Sequence, residues 1–255
     1  MVLLTIENRI ATLTLNRPEK RNALNDEMAK ELLLHLTTLK DNDECKVLII
    51  KANGEAFCAG ADLAYLQKLQ SNSYEDNLLD SMSLMQMFKA LYSFPKITIA
   101  QVEGPAFAGG CGLAGLCDFC FATPEAQFAY TEVKIGFIPA IVSVFLSPKI
   151  GENIAKQMLL TGDVYTALEA KEMRLINEIV ERDLISSQVF EFAAKLVRTV
   201  SADSIRLTKG LLNDIKGFSI GEQLEIAAKA NAQARGTNDC KKGIAAFINK
   251  EKLNW

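Results

Sequence analysis

A single carboxylate and two turns built from small residues are the features of this sequence that could do chemistry. One turn spans Phe57–Asp62, the second spans Gly104–Gly112, and Glu132 follows further along the chain. Small residues let the backbone approach a ligand closely and aim free N–H groups at it. Proton chemistry beside a carbonyl needs two N–H donors around the carbonyl oxygen and a carboxylate that moves the proton. The pattern therefore predicts proton transfer next to a carbonyl group.

The second turn also fits other interpretations when it is taken alone. It follows a predicted strand and precedes an apolar helix, whose positive N-terminal end could hold a phosphate group. The segment contains neither GxxxxGK[ST] nor a true GxGxxG motif. A tight packing turn between strand and helix would explain it equally well. The choice therefore depends on the other segments of the chain.

Six cysteines and one histidine give little support for a metal or redox centre. Cys117 and Cys120 form one C-x-x-C pair without a second pair of ligands, and His35 is far away on the polar face of a predicted helix. The cysteines lack a short-spaced framework, and several lie in apolar runs, which favours reduced, buried thiols. We therefore predict no metal and no redox cofactor.

Composition limits the class of protein and its partners. Hydrophobic residues make up 49% of the 255 residues, enough for one large domain or one domain with an appendage. The net charge of −3 argues against a nucleic-acid surface, which needs a concentrated basic excess. No apolar run is long enough to span a membrane, and no secretory signal is visible. We expect a soluble, cytoplasmic protein without a nucleic-acid or membrane partner.

Short apolar strands alternate with helices in the first part of the chain, which indicates an α/β fold with some parallel pairing. Strands are predicted at Leu3–Ile6, Ile10–Leu15, Val47–Ile50 and Ile97–Val102. Asn25 should cap the first helix, and Ser71–Asp76 reads as a polar, mobile loop. After Pro139 the pattern is nearly all helical, with helices predicted at about Glu152–Leu160, Thr166–Met173, Ser187–Thr199, Ser204–Asp214 and Gly221–Ala234. We therefore divide the chain into an α/β core at 1–200 and a C-terminal helical module at 201–255.

Several segments occur together in a telling order. They are Arg17–Leu24, Phe57–Asp62, Gly104–Asp118, Thr131–Pro139, Leu160–Gly162 and Lys241–Lys250. Each is a weak signal alone, but in this order they resemble the enoyl-CoA hydratase/isomerase (crotonase) superfamily over essentially the whole chain. The resemblance implies a crotonase-like spiral of repeated ββα turns and a C-terminal helical trimerisation region. It also implies an acyl-CoA thioester as ligand, in which coenzyme A is part of the substrate and no separate cofactor is needed.

By position, the resemblance implies roles for individual residues. The N–H groups of Ala59 and Gly109 should form an oxyanion hole for the thioester carbonyl, and Glu132 falls on a catalytic position. The residues that should contact the CoA ester are Lys20, Arg21, Ala23, Ala61, Asp62, Leu63, Phe247 and Lys250. Phe247 and Lys250 would be supplied by the same or a neighbouring subunit of a homotrimer or hexamer.

The chain departs from the hydratase pattern at Gly112. Hydratases of this family usually carry a first glutamate there and a second at the position of Glu132. Glycine cannot transfer a proton, so Glu132 alone remains. One carboxylate suits a 1,3-proton shift, and it suits hydration if Glu132 handles both water and proton or if another group orients the water. A competing interpretation is that Glu132 is a surface carboxylate paired with Lys134.

Three functions follow from this pattern. The segments GGCGL at Gly109–Leu113 and IPAIVS at Ile138–Ser143 look most like the methylglutaconyl-CoA hydratase branch. The leading prediction is an enoyl-CoA hydratase-like lyase that adds or removes water across the 2,3 double bond of an acyl-CoA, with a branched, methylglutaconyl-type substrate. The second is a Δ3,Δ2-enoyl-CoA isomerase that uses Glu132 alone. The third is an acyl-CoA-binding protein that has lost catalysis.

Overall fold

The computed structural model describes residues 1–255, which form two sheets surrounded by helices. The strands are β1 (Val2–Glu7), β2 (Ile10–Leu15), β3 (Val47–Ala52), β4 (Ile97–Val102), β5 (Ala106–Phe107), β6 (Phe119–Ala122), β7 (Gln127–Ala129), β8 (Tyr165–Thr166) and β9 (Glu178–Ile179). The main sheet has the order β1-β2-β3-β4-β6-β9, and the small sheet has the order β5-β7-β8. Only β1 is antiparallel to its neighbour in the main sheet. The predicted α/β fold with parallel pairing is confirmed.

Eleven helices connect and cover these strands. They are α1 (Asp26–Lys40), α2 (Leu63–Leu69), α3 (Tyr74–Tyr92), α4 (Gly109–Leu116), α5 (Ala140–Ile150), α6 (Glu152–Thr161), α7 (Ala167–Glu172), α8 (Ile185–Thr199), α9 (Ala202–Asp214), α10 (Ile220–Gly236) and α11 (Asn238–Ile248). Asn25 caps α1 as predicted, because its side chain accepts a hydrogen bond from the Met28 N–H at 2.9 Å. No helix combines the length and the apolar composition that crossing a membrane requires.

The main sheet is buried on both faces. In β3, Leu48 and Ile50 point into one apolar core, whereas Val47 and Ile49 point into another. Successive side chains of a strand face opposite sides of the sheet, so an unbroken apolar run is what a doubly covered strand requires. The second core is closed by one face of α8, through Ile185, Val189, Ala193 and Val197. The strands therefore form a rigid middle layer from which loops emerge at two edges.

Two segments differ from the sequence-based expectation. Tyr74 begins α3 inside the predicted Ser71–Asp76 loop, because the Ser73 hydroxyl accepts a hydrogen bond from the Asp76 N–H and so caps the helix. α5 was not anticipated, since its apolar residues show no helical period and Pro148 lies inside it. The prediction of a mobile loop is wrong for the capped part of the segment.

The C-terminal helices α9, α10 and α11 pack against one another and bury little of their own surface. They attach at the edge where the parallel strands begin. Lys209 of α9 donates to the Asp118 carboxylate at 2.6 Å and to the Lys96 carbonyl at 2.8 Å, directly before β6 and β4. The division at residue 200 stays a prediction, but the attachment point of the last three helices is defined.

Candidate active site

The two small-residue turns of the sequence meet at the edge where the parallel strands end. One follows β3 and the other follows β4, and these strands are neighbours in the sheet. The Cys58 N–H donates to the Pro105 carbonyl at 3.2 Å, and the Phe107 N–H donates to the Cys58 carbonyl at 2.9 Å. These bonds join the turns into one backbone platform.

Glycines are required where the turns touch. A Cβ atom at Gly110 would lie 2.3 Å from the Cys58 carbonyl oxygen. At Gly60, whose φ is +94°, a Cβ atom would lie 2.8 Å from the Cβ of Ala108. Any side chain at these two positions would separate the turns, since non-bonded carbon and oxygen atoms do not approach so closely. The small residues therefore bring the two backbones into contact.

The free N–H donor of the first turn belongs to Ala61 and not to Ala59. The Ala59 N–H donates to the Arg21 carbonyl at 2.9 Å, so it is already occupied. On either side of Ala61, the Gly60 carbonyl accepts from the Leu24 N–H and the Asp62 N–H donates to Leu24. The Ala61 N–H itself has no partner. The prediction of Ala59 as an oxyanion donor is therefore wrong, and Ala61, which the resemblance places at the CoA ester, becomes the candidate donor.

The free donor of the second turn is the predicted one. Gly109 is the first residue of α4, and its N–H has no partner because the first N–H groups of a helix have no acceptor within it. Ala108 before it has φ of 51°, which is uncommon for a residue with a side chain. Its N–H donates to the Ala129 carbonyl at 2.7 Å, which fixes this turn against β7. The α4 N-terminus therefore adds a positive dipole end beside the Gly109 donor.

Glu132 lies just after β7, in a single 3₁₀ turn at Glu132–Ile135. Its Oε2 atom is buried without a hydrogen-bond partner. Burial raises the pKa of this carboxyl above its ordinary value of 4.5, and its own backbone N–H opposes the shift only in part. Lys134 pairs with Asp163 at 3.7 Å, so the interpretation of Glu132 as the surface partner of Lys134 is wrong. A half-buried carboxylate with one unpaired, buried oxygen is poised to exchange a proton.

The charge of Glu132 acts on the side chains of Cys111, in the first turn of α4, and Tyr130. Burial raises the pKa of the Cys111 thiol to about 12, and the Glu132 charge adds to this shift. Burial likewise raises the pKa of Tyr130, again with a contribution from Glu132. The Cys111 thiol and the Tyr130 hydroxyl are therefore neutral neighbours that cannot replace Glu132 as a base near neutral pH.

Apolar side chains occupy the space beside Gly112. A Cβ atom there would lie 2.4 Å from Cγ1 of Val142 on α5 and 3.1 Å from Cε1 of Phe88 on α3. Val142 and Phe88 are both buried. The position that lacks a carboxylate in the sequence also lacks space for one in the structure.

The loop with Lys20, Arg21 and Ala23 borders the first turn through the bond from Ala59 to Arg21. Lys20 and Arg21 are exposed, whereas Ala23 is buried. Asn22 holds this loop: it is fully buried, and its amide donates to the carbonyls of Asn53 and Ala56, each at 2.8 Å. Sequence reasoning missed the role of Asn22. Its φ of 53° suits asparagine better than most residues, but only the structure shows this angle.

The Asp62 carboxylate is engaged within the protein. It pairs with Arg17 at 2.7 Å and caps α2 by accepting from the N–H groups of Ala64 and Tyr65. Burial would raise the pKa of Asp62, but Arg17 and the two N–H groups outweigh it and hold the pKa below its ordinary value. Asp62 therefore positions the turn, while its neighbour Leu63 is largely exposed beside it.

The two C-terminal candidates, Phe247 and Lys250, are exposed and lie on the helical module at the opposite edge of the sheet. That module is tied there by Trp255, whose N–H donates to the Arg198 carbonyl near the end of α8. A single chain therefore does not bring these two residues beside Ala61 and Gly109.

A sequence model of the family described as enoyl-CoA hydratase/isomerase matches residues 5–255. The chain belongs to this family. A Thermus thermophilus relative, provisionally named an enoyl-CoA hydratase, is 42% identical over 96% of both chains. Crotonyl-CoA hydratase of Syntrophomonas wolfei is 32% identical over 100% of this chain and 97% of its own. The crystal structure of an enoyl-CoA hydratase from Shewanella pealeana superposes with a TM-score of 0.92 at 32% identity, covering 100% of this chain and 95% of the other.

These comparisons confirm the predicted superfamily, the crotonase fold with its C-terminal helical region, and an enzyme of the hydratase/isomerase family. They do not single out the methylglutaconyl branch among the family's members. The choice of substrate therefore depends on the residues around Glu132.

Proposed function

We propose that this protein acts on enoyl-CoA thioesters as a hydratase-like lyase, adding or removing water across the 2,3 double bond. The free N–H groups of Ala61 and Gly109 would receive the thioester oxygen as it gains negative charge. One well-placed oxyanion donor contributes about 3–4 kcal/mol to the transition state. The carbonyl oxygen therefore has two donors that no group of the protein already uses.

The observation that carries this proposal is the unpaired, buried carboxylate oxygen of Glu132. Leaving a buried acceptor without a partner costs about 1–3 kcal/mol, so such a group usually serves a role beyond stability. A raised pKa also brings its proton exchange closer to neutral pH. Glu132 is the carboxylate that would move the proton to or from the carbon next to the thioester.

The exposed cations Lys20 and Arg21 support a CoA ester as the substrate. They lie on the loop whose Arg21 carbonyl holds the Ala59 N–H, and so beside the Ala61 donor. CoA carries phosphate groups, which lysine and arginine side chains pair with. The thioester would then enter the site with its phosphates on this loop.

The finer assignment is a branched, methylglutaconyl-type substrate. It is supported by the GGCGL segment at Gly109–Leu113 and by the IPAIVS segment at Ile138–Ser143, which resemble that branch of the family.

The apolar packing against Gly112 favours a second candidate, the Δ3,Δ2-enoyl-CoA isomerase. An isomerase needs only one base, which removes a proton from C2 and returns it to C4. The apolar contact of Val142 at Gly112 leaves Glu132 without a second carboxylate there.

A panel of 2-enoyl-CoA, 3-enoyl-CoA and 3-methylglutaconyl-CoA esters separates these functions. Hydration removes the absorbance of the conjugated thioester, whereas isomerisation of a 3-enoyl ester creates it. We expect turnover of at least one ester, and we expect Glu132→Gln to lower its kcat by about 10²–10⁴-fold. Saturable binding of acetyl-CoA without any turnover would support the non-catalytic alternative.

We also propose a homotrimer or hexamer. The C-terminal helices expose large apolar side chains at Ile220, Leu224, Ile244, Phe247 and Ile248. An exposed patch of this kind marks an interface. A neighbouring copy would then be the source of Phe247 and Lys250 at the CoA ester. Light scattering that gave only a 28.0 kDa particle at micromolar protein would contradict the assembly.

A further inference from the structure

We infer that Val142 is the specificity-determining residue that keeps this site at one carboxylate and so favours the proton shift over water addition. The inference rests on the proposed function and deepens its second candidate, the isomerase, since it concerns the same site and the same ester substrates. It concerns a residue on α5, which neither the small-residue turns nor the catalytic glutamate include.

The geometry at Gly112 identifies Val142 as the obstacle. Of the atoms that a Cβ at this position would meet, the nearest is Cγ1 of Val142 at 2.4 Å, which is an impossible contact. The Cβ of Val142 would lie at 3.5 Å, an ordinary van der Waals distance. Cε1 of Phe88, at 3.1 Å, belongs to the end of a side chain that needs to move only slightly. Removing the valine methyl groups therefore removes the closest contact of a Cβ atom at Gly112.

The crowding is local to this position. One turn later on the same helix, a Cβ atom at Gly115 would meet its nearest neighbour, Cδ1 of Leu175, at 3.4 Å. α4 therefore tolerates a side chain at Gly115 but excludes one at Gly112. Gly112 follows Gly109 by almost one helical turn, so a side chain there would lie on the same face as the Gly109 donor.

The missing side chain changes which reaction the site supports. In the proton shift, the C2–H bond breaks, Glu132 holds the proton, and a C4–H bond forms as the double bond moves to C2–C3. In hydration, an O–H bond of water breaks while C3–O and C2–H bonds form, so a water molecule must also be held and deprotonated. With Val142 against Gly112, the single carboxylate must perform both tasks. The proton shift is therefore the easier reaction for this site.

The test compares the wild type with Gly112→Glu, Val142→Ala and the double variant Gly112→Glu/Val142→Ala. We expect Gly112→Glu alone to lower the Tm, because its side chain overlaps Val142. The double variant should recover part of that loss, as interacting neighbours do in a double-mutant cycle. It should also raise hydration relative to isomerisation by roughly tenfold, less than the about 10²–10⁴-fold of an evolved general acid or base.

A matched control separates the charge from the space. Gly112→Gln/Val142→Ala has nearly the same volume without a carboxylate, and it should recover the Tm without raising hydration. The inference is overturned if Gly112→Glu has the wild-type Tm, or if the double variant hydrates no faster relative to isomerisation than the wild type. If the wild type binds acetyl-CoA but turns over neither ester, the proposed function is wrong and Val142 cannot influence the ratio of hydration to isomerisation. The Tm values of the four proteins still decide whether Val142 excludes a side chain at Gly112.

Discussion

At one end of the parallel strands of the main sheet, polar groups lack hydrogen-bond partners, whereas at the other end they have them. Where these parallel strands end, the N–H groups of Ala61 and Gly109 have no partner, and one oxygen of Glu132, just after β7 of the small sheet, also has none. Where the strands begin, buried charged side chains have hydrogen-bond partners. Lys46 is 2% exposed, and its ammonium donates to the Val197 carbonyl at 2.7 Å. The ending edge therefore holds polar groups ready for a ligand.

The network at the beginning edge continues across two further strands. Lys96 donates to the carbonyls of Leu39 and Asn42 at 2.7 and 2.5 Å. Asp118 accepts from the Thr98 N–H at 2.7 Å and from Lys209 at 2.6 Å. These hydrogen bonds satisfy polar groups beside the first residues of β4 and β6, and the Lys209 bond holds α9 against them.

The difference teaches how to separate chemistry from architecture in one sheet. A buried polar group with partners contributes to stability, and its removal leaves the partner unpaired. A buried polar group without partners lowers stability unless a substrate completes it. Substitutions at the two edges should therefore change different observables.

Glu132→Gln should have the largest effect on activity. A positioned general acid or base contributes about 10²–10⁴-fold, so kcat should fall by that order while binding of acetyl-CoA changes little. Stopped assays with 2-enoyl-CoA and 3-enoyl-CoA measure kcat, and calorimetry measures the binding. Glu125→Gln is the control, since the Glu125 side chain is 59% exposed and should be dispensable. Near-wild-type turnover of Glu132→Gln would show that another group moves the proton.

Gly110→Ala should push the two turns apart, because its Cβ would lie 2.3 Å from the Cys58 carbonyl. Loss of one oxyanion donor costs about 10²–10³-fold in kcat, and a displaced pair should lose up to that amount. Overpacking should also cost about 1–3 kcal/mol of stability.

Gly115→Ala is the matched control on the same helix, because its Cβ meets nothing closer than 3.4 Å. It should keep its activity and gain stability, since alanine favours helix over glycine by about 1 kcal/mol. Equal kcat values for the two variants would argue that the turn contact does not position the donors.

Lys209→Met tests the opposite edge. It removes a charged hydrogen bond to Asp118 and another to the Lys96 carbonyl, so the free energy of unfolding should fall by about 1–3 kcal/mol. The kcat of the folded enzyme should be unchanged, because the site lies at the other edge. Denaturant unfolding and steady-state kinetics on one preparation measure both quantities. A large loss of kcat at full stability would contradict the separation of the two edges.

The pH dependence of stability should show the smallest effect. Burial raises the Glu132 pKa, so the unfolded chain releases this proton at a lower pH than the folded protein does. As the pH rises from 4.5 through the raised value, the charged carboxylate therefore destabilises the fold. Glu132→Gln should be more stable than the wild type at neutral pH, and the gap should close towards pH 4.5. A Tm gap that widens on acidification would have the wrong sign.

Local patterns predicted most of the sheet and the first helix. The hairpin of β1 and β2, the cap at Asn25 and the buried β3 and β4 all follow from residues that are neighbours in sequence. α5 escaped prediction because an apolar helix with an internal Pro148 has no polar face to reveal its period. The Glu132 position was predictable only through the order of motifs around it.

The sequence by itself determined the family, the two small-residue turns and the single carboxylate, since these depend on residue types and their order. The tertiary structure decided which N–H is free, because Ala59 and Ala61 are alike in sequence and only the Arg21 carbonyl distinguishes them. It also showed that Val142 of α5 occupies the space that a side chain at Gly112 would need. Both decisions depend on contacts between segments far apart in the chain, and a local pattern of residues carries no record of such contacts.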